Sequence, residues 1–192
     1  MATRRKRETD PLQGAVGDLL AALGQDPRAA DLAATPGRAA EAWRVFTRGY
    51  ATGAEEIFSE GVFDAPNDGM VLVRDIEFFS VCEHHLVPFF GVCHVAYLPG
   101  RRIAGLSKLA RLVDAHARRL QVQERMTRDI ARDLEKHLKP RGVAVRAEAR
   151  HLCMMMRGVE QKRASVVTTS LLGAFRSDPA ALAEFHAALA AR

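Results

Sequence analysis

The stretch from Leu106 to Leu138, LSKLARLVDAHARRLQVQERMTRDIARDLEKHL, decides the architecture. Leu106, Leu109, Leu112, Val113 and Leu120 recur near the helical period, and Val122, Met126, Ile130, Leu134 and Leu138 repeat it. The stretch therefore predicts two consecutive amphipathic helices, the second stopped by Pro140 and Gly142. Toward the C-terminus the period changes. Val143, Val145, Ala147 and Ala149 alternate with Arg146, Glu148 and Arg150, the pattern of a strand whose apolar face continues into His151 and Cys153. Ser165 to Leu172, β-branched and hydroxyl-rich, predicts a further strand, and Asp178-Pro179 opens a last helix. On the N-terminal side, Met70 to Phe79 and Phe89 to Leu98 read as two strands, after a loop-rich stretch punctuated by Gly53, Gly61, Pro66, Asn67 and Gly69. The order strand, strand, helix, helix, strand, strand places the chain in the α+β class.

Upstream, Leu12 to Leu23 predicts a short helix, and Thr35 caps another that has Pro36 in its first turn. Trp43, Phe46 and Tyr50 recur there at helical spacing and are expected in the core. A leader, residues 1–34, thus precedes one main domain, residues 35–192. The length of 192 residues fits that organisation. Three cysteines, no apolar leader peptide and no bilayer-length run predict a cytoplasmic chain with reduced thiols and no membrane contact. A net charge of +5 and a pI near 9.5 favour anionic partners. Part of that excess sits in Arg4, Arg5, Lys6 and Arg7, read as a solvated tail, so no nucleic-acid partner is expected.

The residues that carry chemistry are Cys82-Glu83-His84-His85 and, far downstream, His151-Leu152-Cys153. Cys82 and His85 are spaced to turn toward one metal from a tight loop, with Cys153 as the natural third ligand. Three protein ligands leave a position for water, the arrangement of a catalytic zinc site. The competing readings are two buried core thiols with an unrelated histidine, or a closed structural zinc completed by His84, His94 or His151. His84 and His151 each adjoin a ligand and are placed for proton transfer. Glu83 reads as an acceptor for a ligand imidazole, and Cys93 as a small buried hydrophobe. Ser107, Lys108 and Arg111 on the first turns of a helix form a phosphate cradle, to which Arg38 and Arg157 at other element ends add. Glu41, one turn after Arg38, is expected to offset its charge. Neither a P-loop nor a Rossmann glycine motif is present.

Several separated motifs in one order then carry a resemblance: Cys-Glu-His-His at 82–85, Gly-Leu-Ser-Lys at 105–108, Gln-Val-Gln-Glu-Arg at 121–125, His-Leu-Cys at 151–153, Met-Arg-Gly-Val at 156–159 and Thr-Thr-Ser at 168–170. The chain resembles GTP cyclohydrolase I across roughly Thr35 to Phe185. The resemblance implies a T-fold, in which a four-stranded antiparallel sheet with two helices on one face joins its copies in a ring. It further implies a homodecamer of two pentamers with active sites shared between subunits. It makes Cys82, His85 and Cys153 the Zn²⁺ ligands, and His84 and His151 the proton-transfer pair. Glu124, Gln123 and the backbone near Val122 and Leu106 become the guanine reader. Arg38, Ser107, Lys108, Arg111 and Arg157 become the triphosphate contacts. The implied activity opens the guanine imidazole ring of GTP, releases formate and yields 7,8-dihydroneopterin triphosphate for tetrahydrofolate or pterin synthesis. Two rivals stand beside it: a related T-fold reductase of a deazapurine nitrile with a cysteine nucleophile, and a purine-nucleotide-binding scaffold without turnover.

Overall fold

The computed structural model describes residues 10–65 and 68–191, so the basic run Arg4 to Arg7 and the Pro66-Asn67 pair lie outside the described residues. The chain divides into two compact units between Phe46 and Thr47. In the first, α1 (Pro11–Ala22) starts at Asp10, whose carboxylate accepts from the Leu12 N–H at 3.1 Å, with Pro11 pre-set for the first turn. α2 (Thr35–Thr47) packs Trp43 edge-to-face on Phe46. Glu41 pairs with Arg44 at 2.6 Å, so it offsets that guanidinium and not Arg38 as expected.

The aromatic stripe is not a core stripe. Ala40 is the buried residue of α2, and Tyr50 is 62% exposed. A 3₁₀ turn at Arg48–Ala51 breaks the helical register, because Gly49 there presses so close to α-helical backbone that a Cβ would meet the Ala115 carbonyl oxygen at 2.2 Å. Tyr50 is turned outward, where its hydroxyl accepts from the Leu120 N–H at 3.1 Å.

The second unit contains β1 (Val62–Asp64), β2 (Val71–Cys82), β3 (Pro88–Leu98), β4 (Arg102–Ala104), β5 (Leu120–Gln121), β6 (Gly142–His151) and β7 (Val166–Gly173). Its helices are α3 (Ala54–Ile57), α4 (Leu106–Ala117), α5 (Gln123–Leu138), α6 (Leu152–Met155), α7 (Ala174–Ser177) and α8 (Pro179–Ala190). The main sheet runs β5-β2-β3-β6-β7, antiparallel except for the short parallel β2–β5 contact. The four long strands and two long helices follow the expected order. β5 makes the sheet five-stranded instead of four, and β1 pairs with β4 as a separate ribbon. Strands of two or three residues are too short to carry a periodic signal.

The inner faces of α4 and α5, Leu109, Leu112, Val113, Met126, Ile130, Leu134 and Leu138, pack on Phe89, Cys93, Val95, Tyr97, Val143 and Val145 of β3 and β6. A second cluster forms where Ala96, Leu98 and Ala144 meet Phe175, Ala181 and Phe185 of α7 and α8. The start of β6 is thus buried on both faces, which is why Val143, Ala144 and Val145 are buried consecutively and not in alternation.

One polar contact ties α4 to α5: His116 Nε2 lies 2.7 Å from Asp133 Oδ2, with His116 buried. Burial works to raise the Asp133 pKa, but the His116 hydrogen bond and charge outweigh it, so the carboxyl titrates below its usual 3.8. A depressed carboxylate contributes stability that is present above the unfolded-state pKa and is lost as pH falls through the folded value. Asp133→Asn is therefore expected to cost about 1–2 kcal/mol at neutral pH, with the gap to wild type closing below about pH 4. Thermal melts between pH 3 and 7 check it; a gap that persists unchanged at the acid end would remove the carboxylate from the balance.

Candidate metal centre and its surroundings

β2 ends at Cys82 and returns into β3 through a tight turn. The Cys82 N–H donates to the Val87 carbonyl at 2.9 Å, the Leu86 N–H donates to the Cys82 carbonyl at 2.8 Å, and Leu86 adopts φ 55°. This turn folds His85 back on its neighbour, with Nδ1 3.8 Å from Cys82 Sγ. β6 runs beside β3 in a register that opposes His151 to Phe89, and α6 begins at the next residue. Cys153 therefore sits on a one-turn helix, not on the continuing strand face that alternation predicted. The break follows from the start of β3 at Pro88: past His151, β6 has no residue of β3 left to pair with, and the chain coils.

A sulfur from Cys82, a ring nitrogen from His85 and a sulfur from Cys153 all lie within 4.8 Å of one another. Burial raises the Cys153 pKa, the neighbouring Cys82 raises it further, and Arg157 opposes both. Two sulfurs beside one imidazole form a donor set that a borderline-soft divalent cation satisfies. The site residues thus fit a metal ion. Cys93, fully buried in the core with its pKa pushed up to about 12, is inert as expected.

Around this centre, Arg157 Nη1 lies 3.0 Å from His85 Nε2. His84 is largely exposed, with Nδ1 3.8 Å from Cys82 Sγ. Glu83 does not accept from a ligand imidazole; its carboxylate pairs with Arg125 of α5, whose Nε also donates to Gln121 Oε1 at 2.8 Å. The hydrogen bond from Arg125 holds Glu83 below the ordinary carboxylate range. Arg125 was not singled out from the sequence, although it closes the Gln-Val-Gln-Glu-Arg motif. The charged residue two positions after an inward-facing Gln123 was the available signal.

His151 stacks on Phe89, ring centroids 4.5 Å apart and planes 5° from parallel, and its Nε2 lies 2.7 Å from Gln123 Oε1. Burial lowers the His151 pKa and the charge of Glu124 partly restores it, so the imidazole is neutral near pH 7. Glu124 is exposed on the first turn of α5. Gln123, expected beside it as a guanine reader, points inward, 1% exposed, and the Val122 N–H donates to Gln121 Oε1 at 3.0 Å.

Lys108 and Arg111 line a cleft of about 250 Å³ together with Arg48, Glu56 and Asp114. Arg48, a cation the sequence did not single out, pairs with Asp114 at 2.8 Å. Ser107 and Leu106 are exposed on the same first turn of α4. None of the cysteines, His85, His151 or Glu124 lines that cleft. Arg38 belongs to the first compact unit. The structure thus gathers the thiol–imidazole set, Arg157, His84, His151 and Glu124 in one region and the α4 cations in another.

An α+β domain with a two-thiol, one-imidazole ion site, a neutral, half-buried histidine beside it and a separate basic cleft has the parts of a metal-dependent enzyme for an anionic substrate. The family model for GTP cyclohydrolase I matches residues 12–190. The chain is 53% identical over 170 residues to GTP cyclohydrolase 1 of Deinococcus radiodurans, covering 88% of this chain and 79% of that one. It is 50% identical to GTP cyclohydrolase 1 of Gloeobacter violaceus over 92% of this chain and 82% of the relative, and 48% identical to that of Homo sapiens over 91% and 70%. The chain belongs to the GTP cyclohydrolase I family. A solved structure, the archaeosine synthase QueF-Like in the apo form, aligns at 16% identity with a TM-score of 0.44 over 60% of this chain and 96% of that one, a likeness too low to bear on function.

Proposed function

We propose that this protein opens the guanine imidazole ring of GTP at C8, releases formate and forms 7,8-dihydroneopterin triphosphate, the first step of tetrahydrofolate or pterin synthesis. The observation that carries the reading is the convergence of Cys82, His85 and Cys153 beside His151 in a member of this family. Cys82, His85 and Cys153 hold Zn²⁺. When bound, the ion supplies Lewis acidity and activates water near neutral pH. Glu124, exposed at the head of α5, accepts from the paired N–H donors of the guanine edge. His151 exchanges a proton at the imidazole side of the purine, and His84 serves the ribose side during the rearrangement that precedes pteridine closure. Ser107, Lys108, Arg111, Arg157 and Arg38 hold the triphosphate, some of them from a neighbouring subunit.

The same reading makes the fold a T-fold and the assembly a ring, a homodecamer of two pentamers. Two features support it. β7 ends the sheet on one side, while β5 covers only the Val81–Cys82 end of β2 on the other, so both edges have backbone groups to pair with a neighbouring copy, and Phe79 and Val167 on those strands are 52% and 44% exposed. The α4 cations and the thiols also occupy separate places in one chain, as a site completed by a neighbour requires. A cytoplasmic location fits the reduced thiols, and no described helix is long and apolar enough to cross a membrane.

The test is to incubate zinc-analysed protein with GTP and follow pteridine absorbance together with formate. Both signals are expected, abolished by chelation and restored by Zn²⁺. GTP binding with neither signal would favour the nucleotide-binding scaffold, and a covalent adduct at a cysteine with a deazapurine nitrile would favour the reductase.

A further inference from the structure

Ala147 of β6 and Val166 of β7 both turn a carbonyl oxygen toward the side chain of Gln123. Gln123 Nε2 donates to Ala147 O at 3.2 Å and to Val166 O at 3.0 Å, and lies 3.1 Å from Thr168 Oγ1. A carbonyl oxygen can only accept, so the amide nitrogen must face these two. The flipped amide would set oxygen against oxygen in a place that is 1% exposed. The backbone of two strands thereby fixes which end of the amide faces His151: it is Oε1, 2.7 Å from His151 Nε2. An amide oxygen also only accepts, so His151 Nε2 must carry the hydrogen.

The rest of the surroundings holds this arrangement in place. Thr127 Oγ1 donates to the Gln123 carbonyl at 2.8 Å and lies 2.6 Å from Thr168 Oγ1, fixing the start of α5 against β7. The Phe89 ring, parallel to the imidazole, sets its plane. Among the described residues no hydrogen bond to His151 Nδ1 is present.

We infer that Gln123 is a positioning residue that holds His151 in the Nε2–H tautomer and leaves Nδ1 as the atom that exchanges protons with the substrate. This rests on the cyclohydrolase reading for the identity of the substrate, but the tautomer itself does not. The proton balance is simple. Protonated His151 carries hydrogen on both nitrogens; the Nδ1 hydrogen passes to the substrate nitrogen, while the Nε2 hydrogen stays on Nε2, hydrogen-bonded to Gln123 Oε1. The ring returns to the same neutral tautomer, and Nδ1 takes its next proton from water. The Gln123 side chain acts through His151 and has no donor left over for the guanine, in contrast to the substrate-reading role expected from its place in the motif.

Two measurements decide it. Zinc-loaded protein with ¹⁵N-labelled histidine, sedimented for magic-angle-spinning NMR and assigned by loss of one resonance pair in His151→Ala, is expected to give a protonated, pyrrole-type Nε2 and an unprotonated Nδ1 for His151. A protonated Nδ1 would overturn the inference. In Gln123→Met, kcat is expected to fall about tenfold to a hundredfold while the Kd for GTP, by equilibrium dialysis, stays within about threefold of wild type. A Kd that rises in step with the loss of kcat/KM would make Gln123 a substrate contact and overturn it too. If Gln123→Met does not fold, the spectrum of the wild-type protein still decides. If wild-type protein releases no formate, the cyclohydrolase reading fails, while the spectrum continues to test the role of Gln123.

Discussion

Cys153→Ser is expected to emerge from purification without bound zinc and to release no formate from GTP, while remaining folded. The thiol lies on α6, partly exposed and at the margin of the main core, so exchanging sulfur for oxygen removes little packing. The unfolding free energies of the metal-free proteins should therefore agree to within about 1 kcal/mol. The metal is another matter. A serine hydroxyl stays protonated near neutral pH and is a poor ligand, so the ion keeps only Cys82 and His85, two donors from one turn of chain. Changes outside the ligand shell cost about 10–100-fold in metal affinity, and the loss of one of three ligands should exceed that. Chelator competition with a zinc indicator measures it directly. The same preparation offers a second readout, because a metal that binds only the folded state raises its melting temperature. Chelator should lower the melt of wild type and leave that of Cys153→Ser unmoved. A zinc-replete, active variant would take Cys153 out of the site and leave the close approach of its sulfur to Cys82 as a matter of packing.

Much of this site was legible in the sequence, because its parts sit where local patterns change. Cys82 to His85 occupy the joint between two apolar runs, and His151 to Cys153 the end of an alternating one. Chain direction alone brings those places to one end of the sheet once β3 and β6 pair. What the sequence concealed depends on which way single side chains turn. Gln123 looked like part of a surface motif, yet it falls on the same helical face as Thr127, Ile130 and Leu134, all buried, and that periodicity was the sign of its inward turn. Glu83 was free to serve any neighbouring cation, and only the approach of α5 gives it Arg125. Tyr50 continued an aromatic period that Gly49 interrupts. The divided placement of the basic residues was not legible at all, since Lys108 and Arg111 share a helix start with Ser107 whether or not a thiol lies nearby.

The registration of β3 on β6 leads to the second large effect. Gly91 stands opposite Ala149 on one side and Phe78 on the other, in the middle of the sheet. A Cβ there would lie 1.9 Å from the Glu148 carbonyl oxygen and 2.7 Å from Ala149 Cα. Both are backbone atoms of the neighbouring strand, so no rotamer change relieves the contact and the strands themselves must part. Overpacking a core side chain costs about 1–3 kcal/mol, and a clash with ladder backbone should exceed it. Gly91→Ala is therefore expected to lower the melting temperature by about 6–12 °C or more, or to abolish soluble expression. Gly14→Ala supplies the control, because a Cβ at Gly14 meets nothing within 4 Å and the position lies inside α1. There the same substitution should leave stability unchanged or raise it by up to about 1 kcal/mol. Gly91 also stands two positions from Phe89, whose ring carries His151, so parting β3 from β6 should unseat the imidazole while leaving the Cys82–His85 turn on the far side of β3 closed by its own hydrogen bonds. Any Gly91→Ala protein that does fold is then expected to lose turnover and, because Cys153 follows His151 by two residues at the same end of β6, to bind zinc more weakly than wild type. Wild-type melting and turnover together would mean that the strands can separate at no cost, and the close approach at Gly91 would not be what seats His151.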